Sequence, residues 1–154
     1  MRTSRAVPTS LGISEVAARR VAERAAREGT NCTALVERLI QEGVDQLDHP
    51  GIVFRGPMNN RRAALAAGPA VWEVVARLRE LDGPVERRIA VLSAKSDLNA
   101  GRIRVAVAYA RAHGPEILDR IMRNRQAADA FVRAGVGPTA AAAGPGTLDG
   151  PVRS

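Results

Sequence analysis

The chain has 154 residues, enough for one domain or two small ones, and 45% of them are hydrophobic while only 3% are aromatic. Any core is therefore built from Ala, Val, Leu and Ile, and is thin enough that oligomerisation would help stability. The formal net charge of +7, with an isoelectric point near 11.2, favours polyanionic partners. A lone cysteine, Cys32, excludes an internal disulfide, and two histidines far apart in sequence are too few for a typical zinc site, so neither metal nor cofactor is expected. No apolar run reaches membrane-spanning length and no signal-like stretch opens the chain, which predicts a soluble cytoplasmic protein with no membrane partner.

In chain order, Val7, Thr9 and Leu11 alternate with Pro8 and Ser10, which allows a short strand in residues 1–12. Pro8 confines such a strand to one-sided pairing. From Ser14 to Glu28 the pattern is helical, with Ile13, Val16, Ala17, Val21 and Ala25 on one stripe. Gly29 is placed to end that helix, and Thr30 or Asn31 to cap the next. The second helix carries Leu35, Val36, Leu39, Ile40, Val44 and Leu47, and His49-Pro50-Gly51 stops it.

Ile52, Val53 and Phe54 favour a strand, and Gly56-Pro57 with Asn59-Asn60 a turn, after which Arg61 to Leu65 returns as a second strand or an irregular arm. The strand offers an apolar face that Trp72 and Val75 can cover, leaving Arg55, Arg61 and Arg62 outside. Pro69 sits near the start of a helix whose apolar residues are Val71, Trp72, Val74, Val75 and Leu78. Beyond Asp82-Gly83-Pro84, Val85 to Leu92 reads as a short helix with Ile89, Val91 and Leu92 inward. "SAKSDLNAG" reads as a polar turn in which Asp97 or Asn99 caps a helix from Ala100 to His113. Gly114-Pro115 starts a last helix with Ile117, Leu118, Ile121, Phe131 and Val132, and with Glu116–Arg120 and Asp119–Arg123 at ion-pair spacing. After Gly135 the Gly/Pro/Ala-rich text cannot build a core and is expected to be a flexible tail over 135–154.

The order strand, helix, Gly-turn, helix over residues 1–48, with "EGTNCTALVERLIQEG", resembles a ribbon–helix–helix (CopG/Arc-like) domain. That resemblance implies a homodimer or higher oligomer whose paired strands lie in the DNA major groove. It places Ser4, Ala6, Pro8 and Ser10, or the opposite parity, toward the bases, with Arg2 and Arg5 supplying charge. The start of the second helix, at Thr30, Asn31 and Thr33, would hold a phosphate.

The segment 49–134 has a second resemblance. "HPGIVFR", "RRAAL", "GPAVWEV" and "IRVAVAYARAHGPEI" are similar to small VapB-like antitoxins found beside toxins of the PIN-nuclease type. The family implies a β-arm plus helix-turn-helix domain that neutralises a cognate PIN-type ribonuclease and autoregulates its operon through operator DNA. Independently of it, Val85–Ala112 has helix-turn-helix spacing. Arg102, Arg104 and Arg111 lie on the candidate recognition helix, and Lys95 and Asn99 in the turn are placed to meet phosphate or bases. The resemblance implies toxin contacts from the C-terminal helix, here Ile117, Ile121, Arg123 and Arg125, with Arg123 or Arg125 reaching the nuclease's acidic metal site. The arm adds Arg61 and Arg62 as partner-contact candidates. No Ser/His/Asp or Cys/His set converges and no glycine-rich phosphate loop is present, so no enzyme is expected; Cys32 is expected to be a buried, inert thiol. The fold expected is mainly α. A stand-alone dimeric transcriptional regulator, and an interaction adaptor without DNA binding, are the alternative functions.

Overall fold

The computed structural model describes residues 11–135. They contain six α-helices and one two-stranded antiparallel sheet. The expected ribbon strand, with Arg2, Ser4, Arg5, Ala6, Pro8 and Ser10, and the tail beyond Gly135 lie outside the described residues.

α1 (Glu15–Glu28) starts where the Ser14 hydroxyl accepts the Ala17 amide at 3.2 Å, and ends at Gly29, whose φ of 67° carries no Cβ penalty in glycine. α2 (Cys32–Asp48) is capped by Asn31, whose side chain accepts the Ala34 amide at 2.8 Å; Asn31 rather than Thr30 is thus the cap. The two helices pack as a hairpin that buries only Ala25 and Leu35. Cys32 is exposed, because the first turn of α2 faces away from that contact.

β1 (Ile52–Arg55) pairs with β2 (Arg62–Leu65) in the register Ile52↔Leu65, Val53↔Ala64, Phe54↔Ala63 and Arg55↔Arg62. The returning segment is therefore a true strand. A 3-10 turn, Met58–Asn60, joins them. Gly56 is required here: it sits at φ 99°, and a Cβ would stand 2.4 Å from the Asn60 carbonyl oxygen. Arg55 bends back to donate to the carbonyls of Leu65, Ala66 and Gly68 at 2.7 to 3.0 Å, so it ties the hairpin to its own exit loop.

Four helices complete the body: α3 (Val71–Arg79), α4 (Val85–Lys95), α5 (Ala100–Ala112) and α6 (Gly114–Arg133). With the β-hairpin they enclose one core of Ile52, Leu65, Val71, Val74, Ile89, Ile103, Ala106, Tyr109, Ile117 and Ile121. Trp72 is only half-buried, since the inward stripe of α3 is Val71, Val74 and Leu78. α4 runs three residues further than its apolar pattern suggested, so Ser93, Ala94 and Lys95 are helical and the turn shrinks to Ser96–Asn99. Leu98 is buried and pins that turn, and Asn99, not Asp97, caps α5 by accepting the Arg102 amide at 2.9 Å. None of the described helices is long and apolar enough to cross a membrane.

Candidate functional site

The charge of the chain is unevenly placed. Residues 1–48 hold seven Lys/Arg against seven Asp/Glu, whereas residues 49–135 hold fifteen against eight. The surplus of +7 thus lies on the body, and any polyanion is drawn there first. The helical hairpin instead carries an apolar face: Leu11, Ile13, Val16, Leu39, Ile40, Val44 and Leu47 are all exposed, Leu47 at 81%. Five large apolar side chains on two adjacent helices, with Leu11 and Ile13 just ahead of the first, form a surface of the kind that marks an interface. Thr30, Asn31 and Thr33 surround the α2 start; the side chain of Asn31 is occupied by its cap bond, and Thr33 is exposed.

α4 and α5 are consecutive packed helices joined by a four-residue turn, the length that helix-turn-helix pairs use. Their inward residues, Ile89, Leu92, Ile103, Ala106 and Tyr109, fix the pair on the body and leave Arg102, Arg104 and Arg111 exposed on α5. Arg104 is paired with Glu86 of α4 at 2.8 Å, with 55% and 70% of the two side chains exposed. That hydrogen bond holds the Glu86 carboxyl below its ordinary range. Ion pairs this exposed contribute little, so Arg104 can exchange Glu86 for a phosphate or a base at small cost. Arg102 donates to the Ala67 carbonyl at 3.0 Å, which ties α5 to the loop after β2. Lys95 is exposed at the end of α4 rather than in the turn.

The arginines assigned to a partner protein divide. Arg61 faces inward to the helical hairpin: it donates to both carboxylate oxygens of Glu42, at 2.7 and 2.6 Å, and to the carbonyls of Gly56 and Phe54. The Glu42 bond holds its guanidinium above the ordinary value, and the residue acts as a clamp between α2 and the β-hairpin. Ile117 and Ile121 are 4% and 5% exposed and belong to the core, because α6 turns that stripe toward α3 and α5. The outward apolar residues of α6 are instead Leu118, Met122, Phe131 and Val132. Arg123 pairs with Asp119 as its spacing predicts, at 2.7 Å. Arg120 ignores Glu116 and binds the Asn60 side chain and the Arg61 carbonyl, because α6 passes the β-turn at that level. Arg125 is exposed, and Arg62 is half-buried beside Trp72.

One cluster escaped the sequence pattern. His49 and His113, distant in sequence, meet across Tyr109: His113 stacks on its ring at 4.2 Å between centroids, and His49 meets it edge-on at 5.2 Å. Asp45 of α2 stands 3.5 Å from His113 Nε2. Burial, reinforced by Glu116 and Asp45, pushes the Tyr109 phenol far above its ordinary value, so the hydroxyl keeps its proton. Among the described residues no group accepts from it. The cluster seals the joint between α2, α5 and α6. Only the fixed offset of Tyr109 from Ile103 and Ala106, six and three residues along α5, signalled its inward position.

No group of three or more metal-ligating side chains forms among the described residues. Comparison with protein-family models, with curated proteins and with solved structures gives no match.

Proposed function

We propose that the protein is the antitoxin of a type II toxin–antitoxin module: it pairs through its helical hairpin, binds operator DNA, and holds a PIN-type ribonuclease partner. The observation that carries this reading is the apolar face on α1 and α2 beside a body that holds the whole cationic surplus. An apolar face of this extent is covered most simply by its own copy, because a two-fold pairing buries the same residues twice. Two copies then present two Arg-bearing α5 helices, and paired modules of this kind read half-sites of a palindromic operator. The duplex contact rests on Arg104, Arg111 and Arg102, with Lys95 and Asn99 near the phosphates. The nuclease contact rests on the outward face of α6, Leu118, Met122, Phe131 and Val132, flanked by Arg125. Arg61, Ile117 and Ile121 do not serve it, being committed to the clamp and the core.

The test is co-expression with the gene beside this one, followed by light scattering and a mobility shift on the upstream DNA at two salt concentrations. A dimer, a co-purifying nuclease and a shift that weakens steeply with salt are expected. A dimer that shifts DNA with no nuclease bound would make the chain a stand-alone regulator, and a complex that never shifts DNA would make it an adaptor. A monomer without either partner would remove the reading altogether.

A further inference from the structure

A cleft of about 430 Å³ opens between the β-hairpin, α3 and α6, with no residue of α5 or of the helical hairpin in its lining. Its lining brings together Trp72, three guanidinium groups (Arg62, Arg120 and Arg123) and the amides of Asn60 and Asn124, with Glu73 as the one carboxylate. These residues come from four separate elements, so the cluster is a product of the fold and not of a local charge run.

Each group has a distinct state. Trp72 is half-buried, packed on the core yet open to the cleft. Arg120 is held in place by the Asn60 side-chain oxygen and, at 2.8 Å, by the Arg61 carbonyl. With its oxygen engaged, Asn60 keeps its amide N–H groups to donate. Arg123 spends part of its charge on Asp119, an exposed pair that is easily exchanged. The Arg62 side chain makes no hydrogen bond or ion pair among the described residues; its guanidinium lies over Gly56, where the missing side chain leaves it room.

We propose that this cleft binds a single-stranded nucleotide, with the base stacked on Trp72 and the phosphate held by Arg62 and Arg120. An indole beside three guanidinium groups, Arg120 held in place and Arg62 free to turn, matches the aromatic platform and cationic track that single strands require, and the volume suits one nucleotide. Asn60 and Asn124 supply hydrogen bonds to a base edge or sugar. An acidic peptide would satisfy the arginines, but it leaves the indole without a partner. A duplex keeps its bases within the stack and cannot place one on Trp72. The inference therefore goes beyond operator binding and stands or falls separately from it.

Trp72 is the only tryptophan, so its fluorescence reports on this cleft alone. The full-length protein is titrated with AMP, hexaadenylate, inorganic phosphate, a hexaglutamate peptide, and a DNA duplex. AMP and hexaadenylate are expected to quench Trp72, the hexamer at lower concentration, while phosphate at equal concentration does not. Arg62→Gln, which breaks no internal bond, should raise the hexaadenylate dissociation constant at least fivefold. Trp72→Phe should raise it several-fold by anisotropy of a labelled hexamer, with an unchanged circular dichroism spectrum. Absence of quenching by both nucleotides overturns the proposal, as does an unchanged affinity in Arg62→Gln. Hexaglutamate that competes as well as hexaadenylate would make the cleft an acidic-peptide site. Duplex that competes equally would assign the binding to the α5 surface.

Discussion

The helical hairpin and the body are built on opposite terms. The hairpin carries no cationic surplus, with five Arg against seven Asp/Glu over residues 11–48; it buries two residues of its own and shows solvent a band of Leu, Ile and Val. The body holds the net charge of the chain and encloses a continuous core centred on Tyr109 and Ile103, which are 0% exposed. The body thus covers its own apolar stripes, whereas the hairpin leaves most of its apolar side chains in solvent. In the function proposed above, hydrophobic burial would drive the pairing of the one, and phosphate attraction the binding of the other. The two are joined by a few side chains, chiefly Arg61 on Glu42 and the His49–Tyr109–His113 stack.

The largest effect should come from the body's core. Ile103→Ala removes a fully buried branched side chain from a core with few large residues, and a loss of about 2–5 kcal/mol is expected in denaturant melts. The same truncation on the hairpin face, Ile40→Ala, should cost far less in the isolated chain. If the two losses were equal, the hairpin would have a core of its own and the contrast would fail. The joint comes next: Arg61→Gln leaves the Glu42 carboxylate, 12% exposed, without its bidentate partner. A loss of about 1.5–3 kcal/mol is expected for a charged hydrogen bond, and Arg61→Gln with Glu42→Gln together should recover part of it.

A charge placed on the apolar band separates association from folding. Leu39→Glu with Ile40→Glu puts two carboxylates where a partner copy would bury them. The mass by light scattering should fall from a dimer to the 16.3 kDa monomer while helical content stays. On the body, Arg104→Ala should leave the melting temperature essentially unchanged, since its ion pair is exposed, and lower the salt slope of duplex binding by about one. An unchanged slope would move the duplex contact off α5.

Much of this architecture was legible in the sequence, and the rest was hidden for a definable reason. Helix ends were marked by local chemistry: Ser14, Gly29, Asn31 and Asn99 act within four residues of their partners. The apolar stripe of α1 was also visible, but periodicity states only which residues share a face, not whether anything covers it. Ile117 and Leu118 read alike in the sequence, yet one is core and the other surface. Long-range bonds were out of reach altogether. Arg120 sits four residues from Glu116 but finds Asn60, sixty residues away, because the fold delivers a carbonyl and an amide together there. The Trp72 cleft and the histidine pair are of the same kind: each needs residues from several elements that no spacing rule connects.

The smallest expected effect tests the hairpin's own polar seam. Glu28, in the last turn of α1, accepts from Arg24 on its own helix and from Arg38 on α2. The hydrogen bond from Arg24, then that from Arg38, holds its carboxyl below the ordinary value. A carboxyl depressed in the folded state favours folding while it is ionised. Its contribution is therefore complete above the ordinary carboxylate pKa, roughly 4.3, and fades as the pH falls through the lower folded value. Wild-type melting temperature should accordingly decline more steeply than that of Glu28→Gln between about pH 5 and pH 3. The two curves should converge at the acid end, where both side chains are neutral. Parallel curves would mean that the ionised Glu28 draws no net stabilisation from Arg24 and Arg38. The hairpin would then lean on the body rather than on its own ion pairs, and the division between the two regions would be less sharp than their charges suggest.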